Sequence, residues 1–307
     1  MRNLRHATRL SIGMAVAILA ALPAFAQPAN QPPTRPTRPP AMQVPEGVKV
    51  TRDIEYAKPD GKPQLLDLYI PEKAEGPLPL VIWIHGGAWM GGDKRSCPAM
   101  GMTGRGYAVA SINYRLSQEA KWPAQIYDCK AAVRWLRAHA KDYNFDPERF
   151  GVWGSSAGGH LVAMLGTSGD VKELEGDLGN AGVSSRVRAV CDFCGPTDFT
   201  VIDKFPNGAV KPVTQLLGGP VAENLDKART ANPVTYVTKD DPPFLIMHGD
   251  NDKTVPINQS EVLNEALKKA GVWVKFEPVK GAGHGFGGPA ITKTVNEFFD
   301  EQLKAKK

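Results

Sequence analysis

From Val48 onward the apolar residues fall into short runs, and these alternate with stretches whose apolar positions recur every three or four residues. The runs are KVTRDIEYA, LLDLYI, LVIWIHG, YAVASINY, RFGVWG, VRAVCDF, PFLIMHG and VKFEPV, all rich in β-branched and aromatic residues. Leu80 to Ile84 and Phe244 to Met247 are apolar without alternation, as in parallel strands covered on both faces. Between Pro123 and Tyr143 the apolar positions are Ile126, Cys129, Val133, Leu136 and Ala140, the stripe of an amphipathic helix. Val262, Leu263, Ala266, Leu267 and Ala270 repeat that pattern, and Gly271 supplies a stop. The alternation predicts a three-layer α/β sandwich over 47–307, with a mostly parallel central sheet and helices on both faces.

The first 46 residues follow a different pattern. Arg2, Arg5 and Arg9 precede an apolar run from Leu10 to Leu22 and then Ala24-Phe25-Ala26. These are the parts of a secretory signal peptide covering 1–26, cleaved after Ala26. The other reading, an uncleaved anchor, suits the segment less well, because the run is shorter than the roughly 20 apolar residues a spanning helix needs. Gln27 rather than a cysteine follows the cut, which argues against lipid attachment there. Residues 27–46 are Pro-rich and carry no aromatic residue, the composition of a disordered spacer.

Charge and cysteine content narrow the function classes. Of the net charge of +5, three units belong to the leader arginines, leaving +2 in the mature chain. That is too little for a nucleic-acid footprint. Cys97, Cys129, Cys191 and Cys194 are too few for a disulfide scaffold. Cys191 and Cys194 lie three residues apart at the end of a strand-like run, about 10 Å when extended and beyond bridging distance. No second cysteine pair completes a zinc site, so all four read as buried thiols. Nothing in the sequence specifies an oligomeric state.

In open α/β sheets ligands sit beyond the carboxyl ends of the strands. Four motifs fall there: HGGAW after Ile84, GSSAGG after Trp153, HGDND after Met247 and GAGHGF after Val279. Gly154-Ser155-Ser156-Ala157-Gly158 matches G-x-S-x-G between a strand and a helix, which makes Ser156 the candidate nucleophile. His284 is the candidate base. Among the six histidines it alone lies in a Gly-rich loop after the last strand. Asp250 and Asp252 both qualify by position as the orienting acid, and Asp252 is chosen, Asp250 suiting a turn-tying role. Ala157 offers one oxyanion N–H and Gly87 with Ala88 offer others. Trp89 and Tyr114 are candidates for lining the substrate pocket, with ordinary packing beneath the loop as the competing reading. His85 reads as structural.

Taken together, PLVIWIHGGAWMGGDK, GYAVASINYRLSQEAKWPAQIYDCKAAVRWLRAHA, GVWGSSAGGHLVAMLGTSGDV, GPTDF, DDPPFLIMHGDNDKTVPINQSEVL and GAGHGF resemble an α/β-hydrolase esterase. Within that group the chain is similar to the bacterial feruloyl and acetyl-xylan esterases of the BD-FAE type, relatives of the hormone-sensitive-lipase-type carboxylesterases. The resemblance implies a serine hydrolase that needs neither metal nor cofactor. The resemblance also implies an ester substrate as partner, an acylated carbohydrate among the candidates, met in the periplasm or outside the cell. Ala88 stands where lipase-like relatives carry a third glycine, which leaves open which N–H groups complete the oxyanion hole. An aryl formamidase or a prolyl-oligopeptidase-type exopeptidase would use the same three residues. Residues 198–213 are expected to cover part of the pocket.

Overall fold

The computed structural model describes residues 43–205 and 210–304. The expected signal peptide and most of the expected spacer lie outside these residues. Of the spacer's last residues, Val44 already packs against the core, so the folded part begins earlier than the expected boundary at 47. No helix among the described residues is long and apolar enough to cross a membrane.

Among the described residues eight strands form one sheet. They are β1 (Val48–Ala57), β2 (Gln64–Pro71), β3 (Leu78–Ile84), β4 (Ala108–Ile112), β5 (Phe145–Ser155), β6 (Ala189–Phe193), β7 (Phe244–Gly249) and β8 (Val274–Val279). Their order is β1-β2-β4-β3-β5-β6-β7-β8. β1 and β2 are antiparallel, β2 runs antiparallel to β4, and all pairs from β4 to β8 are parallel. Each apolar run of the sequence is one of these strands.

Alternate residues of the central strands feed two cores, as the strand period of two requires. Leu80, Ile82 and Ile84 of β3 face a core shared with helices α1 (Ala124–Ala138), α2 (Ala157–Thr167) and, beyond two short helices α3 (Val210–Leu217) and α4 (Leu225–Thr230), α5 (Asn258–Ala270). Val81 and Trp83 face a second core formed with α6 (Pro289–Leu303) and the 3-10 segment Pro98–Arg105. Both faces are therefore dry, and the run needs no polar alternation.

The helix stripes are broader than their apolar residues suggest. In α1 the expected positions Ile126, Cys129, Val133 and Leu136 are buried, as is Ala140 just past its end, but so are Asp128, Lys130 and Arg134. Asp128 takes the Arg115 guanidinium and backbone N–H, while Lys130 and Arg134 share Glu175. In α5, Leu263 and Leu267 are buried whereas Val262 is exposed. Its inward face instead carries Gln259, which bonds the loop after β6, and Ser260, which bonds His248 of β7.

Candidate active site

The turn between β5 and α2 is forced by sterics. Ser156 adopts φ 58° and ψ −120°, a conformation that costs a side-chain-bearing residue about 1–3 kcal/mol. The turn is held by the Ser156 N–H bonding Phe193 O at 2.7 Å and by the His160 N–H bonding Ser156 O at 2.9 Å. A Cβ on Gly158 would come within 2.0 Å of Ile84 O, so only glycine lets α2 start this close to β3. The loop after β8 brings His284 back over this turn. Its Nε2 accepts the Ser156 hydroxyl at 2.8 Å, and its Nδ1–H donates to Asp252 Oδ2 at 2.7 Å. Residues 156, 252 and 284 thus form one hydrogen-bonded line.

Asp252 is buried at the end of β7. Burial by itself would raise its pKa. The bonds from His248 and His284 and from the Thr254 and Val255 N–H groups outweigh burial and hold the carboxyl well below the usual range. Its Oδ1 takes those two backbone N–H groups at 2.7 and 3.0 Å, and Oδ2 is left to the histidines. His248 is fixed in turn by Ser260 Oγ and Val255 O. Asp250 ties two loops together: its Oδ1 accepts the Gly281 N–H, joining the β7 loop to the β8 loop that carries His284. This is a cross-loop tether rather than the local turn bond expected of it.

HGGAW leaves β3 with three consecutive residues at positive φ: Gly87 at 107°, Ala88 at 56° and Trp89 at 55°. The loop lies against the serine turn. A Cβ on Gly86 would sit 3.3 Å from the Ser156 Cβ. Among the described residues no group accepts from the backbone N–H of Gly87, Ala88 or Ala157, so unpaired donors flank the serine on two sides. His85 closes its own loop by donating from Nδ1 to Gly86 O at 2.8 Å, in keeping with its structural reading.

Trp89 and Tyr114 do not line a substrate pocket. Trp89 is 3% exposed, and its indole packs edge-on against His160 and Phe199 beneath the loop. Tyr114 is 2% exposed, stacks on His85 and donates its hydroxyl to His85 O at 3.1 Å. Both hold the HGGAW loop from below. An apolar cavity of about 530 Å³ instead lies on the α6 side of Gly86 and Ser155, walled by Trp83, Trp153, Phe193 and Phe286. Phe199 and Ile202 of the expected covering segment are buried in the core below Trp89, and residues 206–209 of that segment lie outside the described ones.

The four cysteines are free and buried. Cys194 is a neighbour that sequence reasoning did not place at the site. Its Sγ lies within 4.8 Å of the Asp252 and His284 ligand atoms, a spacing compatible with a metal ion. Burial pushes its thiol up to about 12, and its S–H donates to His284 O at 3.5 Å. A protonated, donating thiol serves the histidine loop as a packing contact rather than as a ligand.

Asp192, fully buried on β6, has its pKa pushed up to about 6 by burial, against the Gly195 N–H and the nearby His248. An acid whose folded pKa lies above its unfolded value costs stability as pH rises. The cost is absent below about pH 4 and complete above about pH 6, reaching about 3 kcal/mol. Asp192→Asn keeps the acceptor for Gly195 and cannot ionise. Relative to the parent, it is expected to be more favourable at pH 8 than at pH 5 by about 1 kcal/mol in urea melts. The same difference at both pH values would show that Asp192 titrates normally.

A mostly parallel eight-stranded sheet between helical layers, with a serine turn after β5, an acid after β7 and a histidine after β8, is the α/β-hydrolase fold. The chain belongs to the BD-FAE family, whose model matches residues 66–267. It is 33% identical to the esterase LipQ of Mycobacterium tuberculosis over 77% of this chain and 57% of the relative. It is 27% identical to the isoprenylcysteine alpha-carbonyl methylesterase ICME of Arabidopsis thaliana, over 77% and 56%. The chain therefore spans little more than half the length of these curated relatives. Among solved structures, a truncated carbohydrate esterase from gut microbiota matches with a TM-score of 0.76 at 36% identity, covering 84% of this chain and 97% of that one. The esterase Est2 of Thermogutta terrifontis matches with a TM-score of 0.69 at 27% identity, covering 85% and 95%.

Proposed function

We propose that the chain is a secreted serine carboxylic-ester hydrolase. It removes acetyl or feruloyl groups from plant-wall polysaccharide or related small esters through an acyl-enzyme. The observation that carries this reading is the unbroken line from Ser156 Oγ through the His284 ring to Asp252, at 2.8 and 2.7 Å. The names of the matched relatives, esterases and a carbohydrate esterase, support the ester bond and the carbohydrate side. Export rests on the leader at 1–26, and the site of action is then periplasmic or extracellular.

In this mechanism His284 takes the Ser156 proton as the hydroxyl attacks the ester carbonyl. Asp252 holds the imidazole in the Nδ1–H tautomer and stabilises the imidazolium that forms. The N–H groups of Ala157 and of Gly87 or Ala88 receive the oxyanion, each worth about 3 kcal/mol in reactions of this kind. Protonated His284 releases the alcohol, and water activated by the same ring then frees the acid.

A substrate panel tests the reading. Purified protein is expected to release acetate from acetylated xylan or ferulate from methyl ferulate. Its kcat/KM on the preferred ester should exceed that on an N-formyl arylamine or an aminoacyl arylamide by at least about a hundredfold. Formamide or aminoacyl turnover matching the esters would transfer the same triad to a formamidase or an exopeptidase.

A further inference from the structure

The oxyanion loop carries a conformational cost that its own backbone does not offset. Ala88 and Trp89 both hold φ near +55°, a region side-chain-bearing residues adopt only when the surroundings enforce it. Two loop hydrogen bonds, from the Met90 and Gly91 N–H groups to Gly87 O, close the turn without tying it to the serine. Trp89 O also accepts the Ser117 N–H at 2.7 Å, which holds the loop to the segment after β4, and the tie to the serine helix is a side chain. The Trp89 indole Nε1–H donates to His160 Nδ1 at 3.2 Å, and His160 Nε2–H donates to Ala231 O at 2.7 Å. His160 is wholly buried and sits one turn into α2, four residues after Ser156 and three after Ala157.

We propose that His160 is a positioning residue of the reaction: through Trp89 it latches the Gly87–Ala88 donors to the helix that presents Ser156 and the Ala157 donor. The two halves of the oxyanion hole come from segments about 70 residues apart in the chain. Their relative placement has to hold to a fraction of an ångström, because donors act only at about 2.7–3.1 Å from the developing charge. Neither Ala231 O nor the indole leaves His160 a choice of tautomer. A carbonyl only accepts, so Nε2 carries the proton. An indole N–H only donates, so Nδ1 keeps its lone pair. Burial lowers the ring's pKa to about 4, so the neutral form persists across the working range. Phe199 and Trp122 pack against the same ring at centroid distances of 4.9 and 5.4 Å, and Trp122 donates to Thr230 Oγ1 at 3.0 Å. The ring cannot move without disturbing three aromatic neighbours.

The latch rests on the ester-hydrolase reading, and its test separates the two. His160→Asn places an amide oxygen near the Nδ1 position and keeps an acceptor for Trp89, while losing the bond to Ala231. His160→Gln places its amide near Nε2, keeping Ala231 and losing Trp89. Trp89→Phe removes the N–H together with part of the buried indole that packs on His160 and Phe199, so it is read alongside His160→Gln, which leaves the indole whole. With p-nitrophenyl acetate, Trp89→Phe and His160→Gln are expected to lower kcat about tenfold to a hundredfold with KM within about threefold, the signature of misplaced transition-state donors. His160→Asn is expected to keep kcat within about threefold even if its thermal midpoint falls, because a purely structural role would follow stability and not the acceptor. The double variant Trp89→Phe/His160→Gln is expected to be no slower than either single variant, since both break the same bond. Should His160→Gln not fold, Trp89→Phe decides. A folded Trp89→Phe with kcat within twofold of the parent overturns the latch, as does a double variant whose losses multiply. A parent without esterase activity, or an active Ser156→Ala, would overturn the ester-hydrolase reading instead.

Discussion

Ser156→Ala is expected to lower kcat/KM for p-nitrophenyl acetate by about 10⁵- to 10⁶-fold while leaving the fold intact. Alanine keeps the Cβ at φ 58°, so the strained turn and its bonds to Phe193 O and from His160 N are unchanged. Only the hydroxyl and its 2.8 Å bond to His284 are lost. Residual turnover of about 10³ over water would come from the oxyanion donors alone. The measurement pairs steady-state kinetics with labelling by a fluorophosphonate, which forms its adduct on the serine oxygen. Activity within tenfold of the parent, or undiminished labelling, would place the nucleophile elsewhere and end the proposed mechanism.

Asp252→Asn is expected to cost about 10⁴ in kcat and also to lower stability, because the bonds that two histidines give the buried carboxylate are lost. The asparagine Oδ1 still accepts the Thr254 and Val255 N–H groups, so the loop geometry survives. Its amide nitrogen, however, replaces the oxygen that accepts from His284 Nδ1 and lies 3.2 Å from His248 Nε2. Two donors then face one another, and His284 is driven to the tautomer with its proton on Nε2. In that form it cannot take the serine proton. An unchanged kcat would mean that Asp252 only braces its loop and that another group orients the imidazole. Asp250→Asn serves as the contrast, because among the described residues Asp250 bonds backbone groups in the loops around it.

The strands and the three residues that the structure joins in one hydrogen-bonded line were legible because their signals are local. Each apolar run is as long as one strand, and Ser156 and His284 lie in short glycine-rich motifs at strand ends. Choosing Asp252 over Asp250 was harder, since both stand in one turn two residues apart. The structure separates them by what each oxygen reaches: the imidazole for one, the Gly281 N–H for the other. For Trp89 and Tyr114 the sequence left pocket lining and packing open, because a motif shows that an aromatic ring is near the site but not which side of the loop it occupies. Both rings turn down into the core, where they hold the loop in place. Val262 was misread for a related reason. Polar Gln259 and Ser260 claim the inward face of α5 because the loop after β6 and His248 of β7 offer them hydrogen bonds, and that face rotates Val262 to solvent.

By itself the sequence determined the layer architecture, the places where each strand ends, and the residue types able to attack, to accept a proton and to orient the acceptor. These depend on periodicity and on spacing within a few residues. The tertiary structure alone decided which donors and acceptors meet: that Ser156 faces His284 across 128 residues, that Asp252 holds two histidines, and that Trp89 and His160 join the loop to the helix. Hydrogen bonding has a range of about 3 Å and depends on direction. Which partners fall within that range is set by how distant strands align, and no local pattern encodes that alignment.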